Sequence, residues 1–100
     1  MTGTKSRAPN HPGTLLREVV LPAMRVSIAQ AAREMGVSRQ QLHKIMAADR
    51  AVTAEMAARL GKYCGNGPQL WLNMQTAYDL WHAERALASQ LDDIPTRAAG

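Results

Sequence analysis

Two short amphipathic segments that meet at one glycine constrain the fold of this chain more than any other feature. The stretch reads SIAQAAREMGVSRQQLHKIM, and Gly36 stands between the two segments. Ser27 and Ser38 each precede a segment, where a serine side chain can cap the first helical turn. Glycine is the usual residue at the left-handed end of a helix. The stretch therefore predicts two helices, 28–35 and 39–46, joined by a tight turn.

Small and apolar residues stand where the two helices of such a pair must touch. Ala32 lies four residues before Gly36, at the point where a larger side chain would push the helices apart. Val37, Leu42 and Ile45 supply apolar groups on the inner side. This spacing is typical of a helix-turn-helix unit, whose second helix enters the major groove of DNA. Helical hairpins in proteins that bind no nucleic acid can share the spacing, so it leaves both interpretations open.

The outward positions of the second helix favour a nucleic-acid partner, because they are polar or basic and none is acidic. Arginine can form paired hydrogen bonds with guanine and glutamine with adenine, and the start of a recognition helix reads the bases. We therefore expect Arg39, Gln40 and Gln41 to read bases. Ser38, Lys44 and Arg50 are expected to contact phosphate, and His43 suits either role. The predicted DNA-binding residues are Ser38, Arg39, Gln40, Gln41, His43, Lys44 and Arg50.

The charge distribution also favours a nucleic-acid partner. The chain carries 12 basic and 8 acidic side chains, a net charge of +4. Residues 1–52 hold a net charge of +5 and residues 53–100 a net charge of −1. A basic half favours a polyanionic partner, most commonly nucleic acid. A basic protein without such a partner would show the same charge, so the helix pattern carries the argument.

Proline, glycine and capping residues divide the rest of the chain into three further helices. The first begins near Pro12 and is expected to end or kink at Pro22, since proline disrupts a helix interior. Another follows the capping residue Thr53, and the last begins at Pro68 and extends towards Leu91. Five helices and no strand predict an all-α domain with an extended C-terminal helix.

The expected domain spans residues 11–91. The polar residues 1–10 suggest a flexible arm, and residues 92–100 a flexible tail. No apolar run approaches the ~18–20 residues of a membrane span, so no membrane partner is expected.

No pattern in the sequence indicates catalysis or a cofactor. Cys64 is the only cysteine, which excludes an internal disulfide and suits a reducing cytoplasm. The histidines and Cys64 lack the spacing of metal ligands, and no nucleotide-binding or nucleophile motif occurs. We therefore expect a cytoplasmic protein that is not an enzyme and has no cofactor.

The aromatic residues of the last helix leave two interpretations. Leu70, Met74 and Trp81 share one stripe and are expected to face the core. Trp71 and Tyr78 share a neighbouring stripe and suit the core or an interface with another chain equally well, because tryptophan and tyrosine often anchor interfaces. We expect a homodimer formed with this helix.

Three blocks of the sequence resemble a known family. The segment GVSRQ at 36–40 looks like the turn of the Xre, or lambda-repressor-like, helix-turn-helix class. HPGTLLRE at 11–18 is similar to the start of HigA-type antitoxins. GPQLWLNMQ at 67–75 and YDLW at 78–81 resemble that family's S-P-E-F-W-L-N-L-Q-x-x-Y-D-L-W block. The likeness covers about residues 11–85.

The resemblance implies a bacterial antitoxin and autorepressor with a lambda-repressor-like fold. Members of the family form homodimers, bind a palindromic operator in double-stranded DNA and bind a HigB-type toxin, a RelE-like mRNA endonuclease. This chain has Ile28 where a phosphate-directed glutamine is common, and Ala47 and Ala48 where Asn-Gly is common. A left-handed alanine costs about 1 kcal/mol, so the recognition helix could instead continue through this loop.

Two other functions stay open from the sequence. One is a stand-alone Xre-type transcriptional regulator without a toxin. The other is a protein-binding module that has lost DNA binding, which Ile28 makes worth considering.

Overall fold

The computed structural model describes residues 7–97, and all regular structure within that range is helical. The expected all-α domain with a helix-turn-helix unit and a long C-terminal helix is confirmed. The first helix, α1, consists of three contiguous segments: Pro12–Leu15, Leu16–Val20 and Leu21–Met24. The others are α2 (Ile28–Met35), α3 (Arg39–Met46), α4 (Ala54–Cys64), α5 (Pro68–Ala86) and the short α6 (Ala88–Asp92).

Side-chain caps fix the starts of the three central helices where the sequence places them. The hydroxyl oxygens of Ser27, Ser38 and Thr53 each accept a hydrogen bond from the backbone N–H three residues later, at 3.0, 3.0 and 3.2 Å. Each bond satisfies one of the backbone donors that a helix leaves free at its start. Local chemistry therefore sets where α2, α3 and α4 begin.

Helix α1 does not end at Pro22. The segment Leu16–Val20 is a π-helical turn, in which the N–H of Leu21 donates to the carbonyl of Leu16, five residues back. Proline has no N–H and clashes with the carbonyl four residues before it in an α-helix, and the wider turn accommodates it. The chain leaves the helix at Arg25, whose φ is 57°. The helix thus continues two residues beyond Pro22, to Met24.

The core lies where α1, α3, α4 and α5 meet. Its packing is mostly aliphatic, with one aromatic ring at the α5 side. The largest fully buried apolar side chains are Leu16, Leu42, Ile45, Met56, Leu60 and Trp71.

Helix α5 packs with a different face from the expected one. Trp71 is 0% exposed, and its indole N–H donates to Oδ1 of Asn66 at 3.0 Å. Leu70, expected in the core, is 40% exposed, while Met74 and Trp81 are half-buried. The apolar face of this helix is broad enough to pack in either rotation, and the larger ring takes the core position. Of the two interpretations of Trp71, the structure supports the core, and its proposed place in an interface with another chain is wrong.

The predicted C-terminal helix is interrupted. Helix α5 ends at Ala86, and Leu87 has φ −104° and ψ 10°, which is not helical. All residues over 82–97 are exposed, so packing does little to straighten this part of the chain. The predicted arm, residues 1–10, and tail, residues 92–100, lie partly outside the described residues.

A buried histidine begins the domain. His11 is 4% exposed, and its Nδ1 accepts a hydrogen bond from the N–H of Gly13 at 2.9 Å, which caps α1. Its ring meets the edge of Tyr78, with 4.9 Å between ring centroids. Burial lowers the pKa of His11, against the raising effects of the Asp79 charge and of a hydrogen bond to the Arg50 backbone. The neutral ring is the form that can cap the helix.

The lowered pKa of His11 predicts a loss of stability in mild acid. Neutral His11 stabilises the fold fully above the unfolded-state pKa of 6.5, and this contribution is lost as pH falls through the lower folded-state pKa. His11→Asn keeps a capping acceptor but cannot titrate. Urea unfolding between about pH 7.5 and pH 5 should show a larger fall in the free energy of unfolding for the native protein than for the variant. Equal falls would show that His11 is not the responsible group.

Candidate nucleic-acid interface

Helix α3 is anchored through one face, so its opposite face points to solvent. Leu42, Ile45 and Met46 are 0, 1 and 4% exposed. Three buried side chains within two turns fix both the rotation and the tilt of the helix against the core. The polar side chains between them are therefore presented on a rigid surface.

The turn between α2 and α3 has the expected form. Gly36 has φ 75°, in the left-handed region, and the N–H of Val37 donates to the carbonyl of Ala32 at 3.0 Å. Ala32 is 1% exposed, at the helix contact where only a small side chain fits. These three residues confirm the helix-turn-helix geometry.

A backbone contact with α1 fixes how closely α3 packs against the rest of the domain. A Cβ atom added to Gly13 would lie 1.8 Å from the carbonyl oxygen of Ile45, so the start of α1 touches the backbone of α3 directly. Arg17 also reaches across from α1, with Nη1 donating to the carbonyl of Met46 at 3.3 Å. Sequence analysis noted the HPG segment only as part of a resemblance and missed this contact.

Six of the seven predicted contact residues are exposed, on α3 and on the segments that flank it. Ser38 caps α3, and Gln41 is the exception, half-buried beside a small cavity between α3 and α4. The exposed residues are Ser38, Arg39, Gln40, His43, Lys44 and Arg50. Their contact with DNA stays a prediction.

The basic side chains of this surface are not neutralised by the chain itself. Within residues 7–97, the side chains of Arg39, Lys44 and Arg50 form no hydrogen bond or ion pair. Two arginines elsewhere are paired: Arg17 lies 2.7 Å from the carboxylate of its neighbour Glu18, and Arg59 contacts Glu55 on α4. The surface of α3 therefore keeps its positive charge available for a polyanion.

The loop after α3 shows that the helix does not continue through Ala47 and Ala48. Helix α3 ends at Met46 and does not continue, and Ala48 takes a left-handed conformation with φ 63°. The N–H of Asp49 donates back to the carbonyl of Lys44 at 2.8 Å, which closes the turn. The loop thus has the sharp turn that glycine would favour, with an alanine in its place.

Two further residues named in the sequence analysis, Ile28 and Tyr78, are half-buried. Ile28 is half-buried and packs against the core, so it contributes to the position of α2 and offers no donor to phosphate. Tyr78 is half-buried between His11 and His82, with ring centroids 4.9 and 4.4 Å away.

Sequence analysis noted Gln75 only as the last residue of a block that carries the resemblance, and missed its contact. Its side chain is 5% exposed, and Oε1 accepts a hydrogen bond from the N–H of Val52 at 2.7 Å, at the end of the loop after α3. The signal for such a residue is a polar side chain one turn after a buried tryptophan on the same helix face.

Residues 7–97 contain no group of three or more histidine, cysteine, aspartate or glutamate side chains arranged to hold a metal ion. None of the helices described in this range is long and apolar enough to cross a membrane.

The chain is similar in sequence to known proteins. Residues 11–71 match the family model described as a helix-turn-helix domain. The chain is 45% identical over 75 residues to virulence-associated protein I of Dichelobacter nodosus, a match covering 75% of this chain and 69% of the relative.

Two solved structures of antitoxins are similar to most of the chain. The Pseudomonas aeruginosa antitoxin HigA with higBA promoter is 34% identical, with a TM-score of 0.83 and coverage of 91% of this chain and 99% of that one. Antitoxin GraA in complex with its operator is 33% identical, with a TM-score of 0.84 and coverage of 99% and 100%.

The conformation of Ala48 predicts that glycine stabilises the loop. Ala48→Gly should raise the free energy of unfolding by about 1 kcal/mol, because a left-handed backbone strains alanine and not glycine. Ala47→Gly is the matched control, since Ala47 has φ −87° and gains nothing from glycine. Urea unfolding of both variants checks this, and a gain for Ala47→Gly instead would contradict it.

Proposed function

This chain belongs to the HigA-type helix-turn-helix antitoxin family, and on that premise we propose that it is a cytoplasmic antitoxin and autorepressor. It binds a palindromic operator in its own promoter as a homodimer. It also neutralises a cognate HigB-type toxin, a RelE-like mRNA endonuclease.

The unpaired basic surface of α3 is the observation that carries DNA binding. Phosphate neutralisation supplies most of the affinity of such surfaces and makes it fall steeply with salt. Lys44 and Arg50 are exposed and unpaired, as phosphate contacts must be. The absence of acidic side chains from the exposed face of α3 removes the repulsion that an ordinary solvated helix would offer to DNA.

Sequence readout falls to the first turn of α3. Arg39 and Gln40 are exposed there, on a helix whose position is fixed by its buried face and by the contact at Gly13. A fixed helix is required, since paired hydrogen bonds to a base edge tolerate little displacement. Gln41, half-buried, is less accessible to a base than its two neighbours.

Removing Arg39 tests this readout. Arg39→Ala should weaken binding to operator DNA by roughly 1–3 kcal/mol and binding to a scrambled duplex by less. Arg97→Ala is a matched control, because it removes the same charge from an exposed position outside the helices. Fluorescence anisotropy with both duplexes gives the affinities. Equal losses on both duplexes would exclude Arg39 from base reading.

The outer side of α5 and α6 supports a homodimer. Four apolar side chains there are 42–62% exposed, although the domain has a well-packed core elsewhere. They follow one another at steps of seven, four and three residues: Leu80 lies on α5, Leu87 at the break between α5 and α6, Leu91 on α6, and Ile94 just after α6. A dimer is what presents two recognition helices about 34–36 Å apart, one turn of DNA. The seam consists of Leu80, Leu87, Leu91 and Ile94.

A charge placed in this seam should separate the dimer. Leu80→Asp should give a monomer by light scattering at about tens of micromolar protein, because the carboxylate cannot be buried without a partner. Val19→Asp is the matched control, since both residues are 55% exposed and Val19 lies on α1. A native protein that is already monomeric at this concentration would contradict the dimer.

The antitoxin role rests on family membership and not on a described contact. A toxin-sized reading frame beside the gene, and a stable complex between the two products, would separate an antitoxin from a stand-alone regulator.

A further inference from the structure

The segment 47–52, which we call the post-recognition loop, is held at both ends by side chains from outside it. Arg17 donates to the carbonyl of Met46 where the loop begins, at 3.3 Å. Gln75 accepts from the N–H of Val52 where it ends, at 2.7 Å. The two ends of the loop are thus fixed from α1 and α5.

Gln75 makes the more constrained of these contacts. Both ends of its amide are used: Oε1 accepts from the N–H of Val52, and Nε2 donates to Oδ1 of Asp79 at 2.9 Å. Gln75 and Val52 are only 5 and 2% exposed, so no water can easily replace the bond. A buried N–H that loses its acceptor is costly, and the loop would move to find another.

Arg50 is the residue whose position depends on this bond. It lies two residues before Val52, is exposed, and its side chain has no partner within residues 7–97. Its side chain extends from the loop backbone, so the region that its guanidinium group can reach follows from the conformation of the loop. A shift at Val52 would move that region relative to α3.

We propose that Gln75 is a positioning residue for DNA binding, which holds the post-recognition loop so that Arg50 reaches a phosphate. The proposal rests on the proposed function, since it requires that this surface binds DNA. Packing of α5 does not require an amide side chain at position 75, because Trp71, one turn earlier, already anchors the helix in the core. The amide is required by the buried N–H of Val52.

The salt dependence of binding tests this role. A phosphate contact contributes about one to the slope of log K against log salt. Arg50→Ala should reduce the magnitude of this slope by about one. Gln75→Met should reduce it by nearly as much, although it removes no charge. The double variant should bind as Arg50→Ala does, because the two residues supply one contact. Anisotropy on the protein's own upstream DNA at several salt concentrations gives these slopes.

Gln69 provides a matched control on the same helix. Its Nε2 donates to Oδ1 of Asn73 at 3.0 Å, the same four-residue spacing as Gln75 and Asp79, but this bond is exposed and joins two side chains of α5 instead of α5 and the loop. Gln69→Met should leave the slope and the affinity unchanged. A slope unchanged in Gln75→Met, or losses that add in the double variant, would overturn the proposal.

A charge-conserving exchange covers the case in which Gln75→Met fails to fold. Gln75→Glu keeps an acceptor for Val52 but sets two carboxylates against each other at Asp79, and it should lower the slope. Adding Asp79→Asn restores a donor and the native net charge, and it should restore the native slope. Failure of the second change to restore the slope, with both proteins folded by circular dichroism, would overturn the proposal. If the native protein binds operator and scrambled DNA equally, the proposed function fails instead.

Discussion

The burial of one face of α3 is the constraint on which the rest of the structure depends. Leu42, Ile45 and Met46 leave water together, and this fixes which side chains of the helix stay outside. The direct contact between Gly13 and the backbone at Ile45 sets how deep the helix sits. Because these contacts are mutually consistent, Arg39 and Gln40 stand on a surface that does not need to rearrange when it meets a ligand.

Three polar side chains, of which His11 and Gln75 are buried and Arg17 is exposed, act differently from the apolar side chains of the core. Apolar burial holds the helices together without direction, whereas His11, Arg17 and Gln75 form hydrogen bonds that fix single backbone atoms. His11 lies just before α1, Arg17 on α1 and Gln75 on α5, and they bind backbone atoms at the start of α1, at the end of α3 and at the end of the loop after α3. The outer helices thereby fix the position of the recognition helix, and the exposed apolar seam begins on the other side of α5, at Leu80.

The sequence was most informative where local chemistry decides the structure. The hydroxyl caps at Ser27, Ser38 and Thr53 and the left-handed Gly36 set the starts of α2, α3 and α4 and the turn between α2 and α3. The outward face of α3 followed directly from its apolar period.

Tertiary contacts decided what the sequence left open. The rotation of α5 placed Trp71 in the core and Leu70 outside, a choice that a broad apolar face does not specify. The role of Gln75 depends on Val52, which is distant along the chain. Ala48 adopts a strained conformation because the contacts on both sides of the loop require a turn there.

The most direct test of sequence-specific DNA binding by α3 is the affinity of the native protein for its own upstream DNA and for a scrambled duplex. Both are measured by fluorescence anisotropy at physiological salt and at one higher salt concentration. The account predicts a preference of ~10³ or more for the upstream DNA, together with a steep loss of affinity as salt rises. Equal and weak binding to both duplexes would contradict it and would leave a basic surface without sequence readout.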